Sequence, residues 1–216
     1  MLLWRVLRRS VRHLNAQGYV LVWANVLWAV LTLPIVTAPL AWAALCHLCH
    51  AAQTRHQVTL AVFWEGWRLR WRPALGLGLF GGLMTTINIT NLVSFSTGSP
   101  GLDSLLRGVW WTALILLGLV LLYAFPILEE MAQPRALSAL YNALLLALRH
   151  WGLSLCLVVI CSGIVMLSTI FLPAWLLLTG SAFATLANAA VLESLRADGY
   201  HNPQHVDPLE EIAKSP

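Results

Sequence analysis

Charge is what this sequence has least of. Asp, Glu, Lys and Arg make up 10% of its 216 residues, where a soluble globular domain carries about 25%. A chain this poor in charge lacks the polar side chains to cover its own surface, so lipid must cover much of it. Several chemical signatures are also missing: no Ser/His/Asp set, phosphate-binding loop or metalloprotease motif occurs, which argues against an enzyme. The four cysteines all fall inside apolar runs and do not form the spaced pattern of a disulfide framework. The basic N-terminal stretch is followed by an apolar run without a clear small-residue cleavage site, so no cleavable signal peptide is expected.

What is there is apolar and aromatic. Ala, Val, Ile, Leu, Met, Phe, Trp, Tyr and Cys make up 59% of the chain, and eleven residues are Trp, which favours the membrane–water boundary. The formal net charge is +4. Its basic residues lie in short clusters beside apolar runs, which fits lipid headgroups better than nucleic acid.

A bilayer core takes about 20 helical residues. Ala74–Val93, Leu105–Leu128, Gly152–Leu172 and Ala174–Leu192 each fit one span. Tyr19–His50 is too long for one and contains Pro34 and Pro39, which interrupt helical hydrogen bonding. If the chain turns there, Gly18–Leu33 leads out and Leu40–Arg55 leads back, each arm roughly 24 Å long at the helical rise. Of the thirteen Lys and Arg, all but Arg107 then lie on the cytoplasmic side, as the positive-inside rule requires. The expectation is an all-α, polytopic bundle of six helices with both termini inside. Residues 1–196 form one transmembrane domain, and 197–216, with Pro203 and Pro208, form a flexible cytoplasmic tail.

The six spans group into three hairpins, each preceded by an amphipathic inner-face segment: Leu3–Leu14, Leu60–Arg72 and Ala136–Leu148. Arg12-His13-Leu14 is echoed by Arg149-His150-Trp151. In Leu60–Arg72 the apolar residues recur at helical spacing, and Pro73 is expected to end the segment. Trp64, Trp67, Arg68, Arg70 and Trp71 are the expected contacts to lipid or to a partner.

The stretch ANVLWAVLTLPIVTAPLAWAALCHL resembles the N-terminal signature of the YesL-like bacterial membrane proteins (domain of unknown function 624). The resemblance rests on Asn25, Leu27, Trp28, Pro34, Thr37, Pro39 and Ala43-Ala44-Leu45, and on the aromatic, basic VFWEGWRLRWR that follows. It departs at Ala38, where the family usually has Gly, and covers about residues 18–72. It implies a bacterial inner-membrane location and an accessory role beside carbohydrate import systems, with a membrane transport complex as partner. It carries over no catalytic residue and no cofactor.

Cys46-His47-Leu48-Cys49-His50 matches the C-x-x-C-H pattern of c-type haem attachment. Cys46, Cys49 and His50 also share neighbouring helical turns, as metal ligands would. The preferred reading is thiol packing between helices, with no cofactor. Asn25, Asn88, Asn91 and Asn188 with Thr85, Thr86, Thr90 and Thr185 mark either a polar path or, preferably, interhelical hydrogen bonds. Glu129 and Glu130 are expected at the headgroup boundary, paired with Arg135, and Gly76, Gly78, Gly81 and Gly82 at close helix contacts.

Overall fold

The computed structural model describes residues 2–55, 58–96, 98–171 and 173–200, and all regular structure among them is helical. Eight α-helices follow one another: α1 (Leu2–Ala16), α2 (Gly18–Thr32), α3 (Ala38–Thr54), α4 (Ala61–Ser94), α5 (Pro100–Glu130), α6 (Ala136–Arg149), α7 (Trp151–Ile170) and α8 (Gly180–Ala197). The expected flexible tail lies, from residue 201 onward, outside the described residues.

The break between α2 and α3 falls at the two prolines. Leu33 and Pro34 leave the helix, Ile35–Thr37 make one 3₁₀ turn, and Pro39 sits in the first turn of α3, where its missing N–H costs nothing. Thr37 closes the corner: its hydroxyl donates to the carbonyl of Leu31 at 2.5 Å and lies 2.8 Å from that of Pro34. Among the described residues, five helical segments are long and apolar enough to cross a membrane: Ile35–Thr54, Ala61–Ser94, Pro100–Glu130, Trp151–Ile170 and Trp175–Ala197. The sixth expected span, α2, has only 15 residues. It meets α1 at a 92° bend, so α1 lies across the direction of α2, as an amphipathic helix at an interface would.

The three-hairpin pattern closes into a ring. The returning helices α3, α5 and α8 pack against one another in the centre. The amphipathic segment of each unit then packs on the returning helix of the unit before it: α4 on α3, α6 on α5, and α1, completing the circle, on α8. Burial follows this order. Every residue of α3 from Ala43 to Gln53 is buried, whereas most of α7 faces outward.

Leu60–Arg72 is not a separate helix. Pro73 lies inside a continuous α4. A proline there removes the bond to the carbonyl of Leu69, but Leu69 is exposed, so its carbonyl is free to find another donor. The helix is held on both sides of the proline by α3: Gly66 lies against the His47 side chain, and Gly78 against the Pro39 ring. Gly76 and Gly81 likewise admit Ala136 and Leu121, while Gly82 meets nothing. A Cβ built on Gly78 would stand 2.1 Å from Pro39 Cγ, and neither the ring nor the helix can yield. Gly78→Ala is therefore expected to cost about 2–3 kcal/mol by overpacking. Gly82→Ala should be neutral or stabilising by up to about 1 kcal/mol, since it trades only helix propensity. Thermal unfolding of the two variants in detergent checks the contrast.

Candidate functional site at the C-terminal ends of the central helices

The end of the bundle where α3, α5 and α8 finish holds most of the buried charge. His47 and His50 on α3 turn toward α5, where two carboxylates follow the last turn begun at Pro126. His47 Nδ1 lies 2.8 Å from Glu129 Oε2, and the same oxygen receives Arg70 Nη2 at 3.2 Å. His50 Nδ1 stands 3.7 Å from Glu130 Oε1. The side chain of Glu129 is 4% exposed and that of Arg70 17%. A carboxylate so placed is tolerable only because cationic or hydrogen-bonding partners replace its water.

A second lock joins α1 to the centre. Arg9 leaves the basic face of α1 and is buried; its Nη1 donates to Glu193 Oε1 at 3.1 Å and its Nη2 to the carbonyl of Gln53 at 3.0 Å. Arg196 adds a 3.2 Å contact to the same Glu193 oxygen. A third pairing lies at the corner of α6 and α7, where Arg149 Nε and His150 Nε2 approach Asp198 Oδ1 at 3.0 and 3.3 Å. Each amphipathic segment thus sends one arginine to a carboxylate on a central helix or just past its end.

These contacts correct two expectations. Arg70 does not reach outward to lipid or a partner; it is spent on Glu129, because its position on α4 faces the groove between α3 and α5. Glu129 pairs with Arg70 and His47 rather than Arg135, whose guanidinium instead meets Gln133. The Cys46/Cys49/His50 set is split between two faces of α3. The histidines face α5, while Cys49 Sγ points to the carbonyl of Ser181 on α8 at 3.9 Å. Cys49 and His50 are adjacent positions and so point about 100° apart around the axis, which sends one to α8 and the other to α5. Among the described residues no cluster of three or more His, Cys, Asp or Glu side chains is arranged to hold a metal.

Of the other expected contact residues, Trp64, Arg68 and Trp71 are exposed and Trp67 is half-buried. Phe63, at helical spacing with Trp67, is fully buried. The aromatic stripe is thus divided between the bundle and its surroundings. Arg72 lies over the Trp71 ring at 5.0 Å, a cation–π pairing that keeps both at the surface.

The signature residues meet in the opposite half of the bundle. Before α8 the chain widens into a π-helical stretch, Trp175–Thr179, and such stretches leave backbone groups out of register. Asn25 on α2 takes them up. Its Nδ2 donates to the carbonyls of Trp175 and Leu176 at 3.1 and 2.8 Å, and its Oδ1 accepts from the N–H of Ser181 at 2.6 Å. Trp28 covers Gly180, where a Cβ would come within 2.5 Å of its ring, and stacks edge-on with Trp42 at 5.9 Å. Asn188 similarly bridges α8 to the carbonyl of Cys46 at 3.2 Å. Asn88 bonds only to its own helix, at the carbonyl of Met84.

The chain matches no family model, and no curated protein or solved structure is similar to it. The likeness to the YesL-like proteins therefore rests on the residues quoted for it, of which Asn25, Trp28, Pro34, Thr37 and Pro39 lie at the α2–α3 corner or beside the π-helical stretch before α8.

Sequence reasoning missed Arg9, Glu193 and Asp198. The signal was available for the first two. Arg9 shares helical spacing with Val6 and His13 at the edge of the basic face of α1, and Glu193 directly follows the last expected span; neither charge can be left unpaired beside lipid.

Proposed function

We propose that the chain is a non-enzymatic accessory subunit of the bacterial inner membrane, YesL-like, with both termini cytoplasmic, that docks on a carbohydrate uptake complex. The observation that carries this reading is the division of labour among the arginines. Arg9 and Arg70 lock the central helices from within. Arg68 and Arg72, with Trp64 and Trp71, stand outward on one stretch of α4. A scaffold with a locked centre and an aromatic, cationic outer face is suited to holding a partner, since Trp and Arg supply most of the binding energy in protein interfaces.

Affinity purification from native membranes tests it. The wild-type chain is expected to bring down a transport complex. The double variant Arg68→Glu/Arg72→Glu should lose at least tenfold of that complex, about 1.4 kcal/mol, while its elution profile stays that of a folded monodisperse protein. Full retention of the complex by the double variant would sink the docking role of α4.

A second reading, a small transporter, is favoured by the widened helix at Trp175–Thr179, because interrupted helices commonly build substrate sites in transporters. In this chain the freed carbonyls of Trp175 and Leu176 are already occupied by Asn25, which favours the scaffold. Solute uptake by vesicles containing only the purified chain would reverse that order.

A further inference from the structure

We infer that the cleft between the C-terminal ends of α5, α6 and α8 binds a neutral polyhydroxylated small molecule, a sugar or sugar alcohol. The cleft has a volume of about 280 Å³, at the small end of ligand pockets. Its polar wall comes from Glu130, Asn142, Arg149, Asp198 and Tyr200. Its floor is apolar, with Leu146 buried and Leu195 half-buried beneath it.

Charge decides the ligand class. The one Lys or Arg that lines the cleft, Arg149, already lies 3.0 Å from Asp198, so no cluster of cations is there to draw a phosphate. Among the described residues no group of three His, Cys, Asp or Glu is arranged to hold a metal ion. What remains is hydrogen-bonding capacity. A carboxylate has about four lone-pair positions and a guanidinium five N–H groups, so Asp198, Glu130 and Arg149 can each bind further partners without breaking their pairs. Asn142 adds an amide donor and acceptor, and it has no hydrogen bond or ion pair with any described residue. Acceptors on α5 and α8 thus face donors on α6 across an apolar floor. Vicinal hydroxyls, which donate and accept at neighbouring atoms, fit that wall, and the C–H face of a sugar ring fits the floor. An acyl chain would make no use of the hydrogen-bonding wall.

The site is independent of any transport partner, so it is tested on the purified full-length chain alone in detergent micelles. Saturation-transfer NMR and thermal shift are measured with D-glucose, D-galactose, D-mannose and xylitol as probes, and with D-glucose 6-phosphate. At least one neutral probe is expected to bind saturably and raise the unfolding temperature. Asn142→Ala should weaken that probe about tenfold, the loss of one or two hydrogen bonds. Its unfolding temperature without probe should stay that of the wild type, because Asn142 supports nothing else. Glu130→Gln, which keeps the shape but alters the wall, should weaken it as well. Absence of saturable binding by every neutral probe overturns the inference. So does undiminished binding by both variants, which would place the ligand elsewhere, and so does tighter binding of the phosphate ester than of glucose, which would show an anion site.

Discussion

Asn25→Asp, a change of one nitrogen to oxygen, is expected to be among the most damaging substitutions in the chain. Asn25 is fully buried and serves two carbonyls and one N–H of the widened turn before α8. Asn25→Ala removes all three bonds and leaves the backbone groups unpaired. At the roughly 0.6 kcal/mol average for a side-chain hydrogen bond within a membrane, this costs about 2 kcal/mol. Asn25→Asp keeps the acceptor for Ser181 but turns an anionic oxygen on the carbonyls of Trp175 and Leu176. The added burden of a carboxylate inside a span is about 3 kcal/mol, so the total approaches about 4 kcal/mol after crediting the bond retained. Unfolding in a graded mixture of mild detergent and dodecyl sulfate measures both. Equal stability of the two variants, or an aspartate variant as stable as the wild type, would show that the break does not depend on Asn25.

Why Asn25 was recognisable as important but not as a cap is a matter of distance along the chain. Its bonds are made to residues about 150 positions away, and nothing in the local pattern around Trp175 announces a π-helical turn. Pro173 marks only the start of a new helix. The corner at Pro34–Pro39 was legible because two prolines act on their own helix, with no tertiary help. Pro73 has the same chemistry but did not end its helix, because contacts of Gly66 and Gly78 with α3 hold α4 on both sides. Local propensity loses there to packing. The spans themselves were readable from apolar length, since lipid imposes that requirement on every segment alike. The ring of three units was readable in its repetition, but not in its closure, which depends on α1 finding α8.

The candidate site was half legible for a related reason. Two histidines and two glutamates in apolar surroundings had to find partners, and their positions near helix ends set their common level. The choice of partner lay in helix rotation. Arg68, Arg70 and Arg72 alternate along α4, and at about 100° per residue the middle one points away from the other two. Sequence placed all three on the outside. The structure turns Arg70 alone inward, where α3 and α5 leave room beside Glu129.

That inward turn sets up the second large effect, at Glu129. Glu129→Ala leaves Arg70 with no carboxylate and His47 Nδ1 with no acceptor, in a place where side chains are 17% and 8% exposed. Removing one member of a buried pair typically costs about 3–5 kcal/mol, mostly because the other charge is stranded. The expected result is loss of most folded protein from the membrane fraction. Glu129→Gln keeps an oxygen for the His47 N–H and for Arg70 but no charge, and should cost less, about 2 kcal/mol. The double variant Arg70→Met/Glu129→Leu removes both charges together and fills a similar volume, and such replacements are often neutral or stabilising. It should recover most of the stability lost in Glu129→Ala. The double-mutant cycle through Arg70→Met, Glu129→Leu and the pair then reads the coupling directly. A coupling near zero would mean that Arg70 and Glu129 are solvated separately in the membrane and that the lock between α4 and α5 is not formed. A large coupling with no recovery in the double variant would instead point to His47, the third member, as the group left stranded, and Arg70→Met/Glu129→Leu/His47→Phe should then restore the fold.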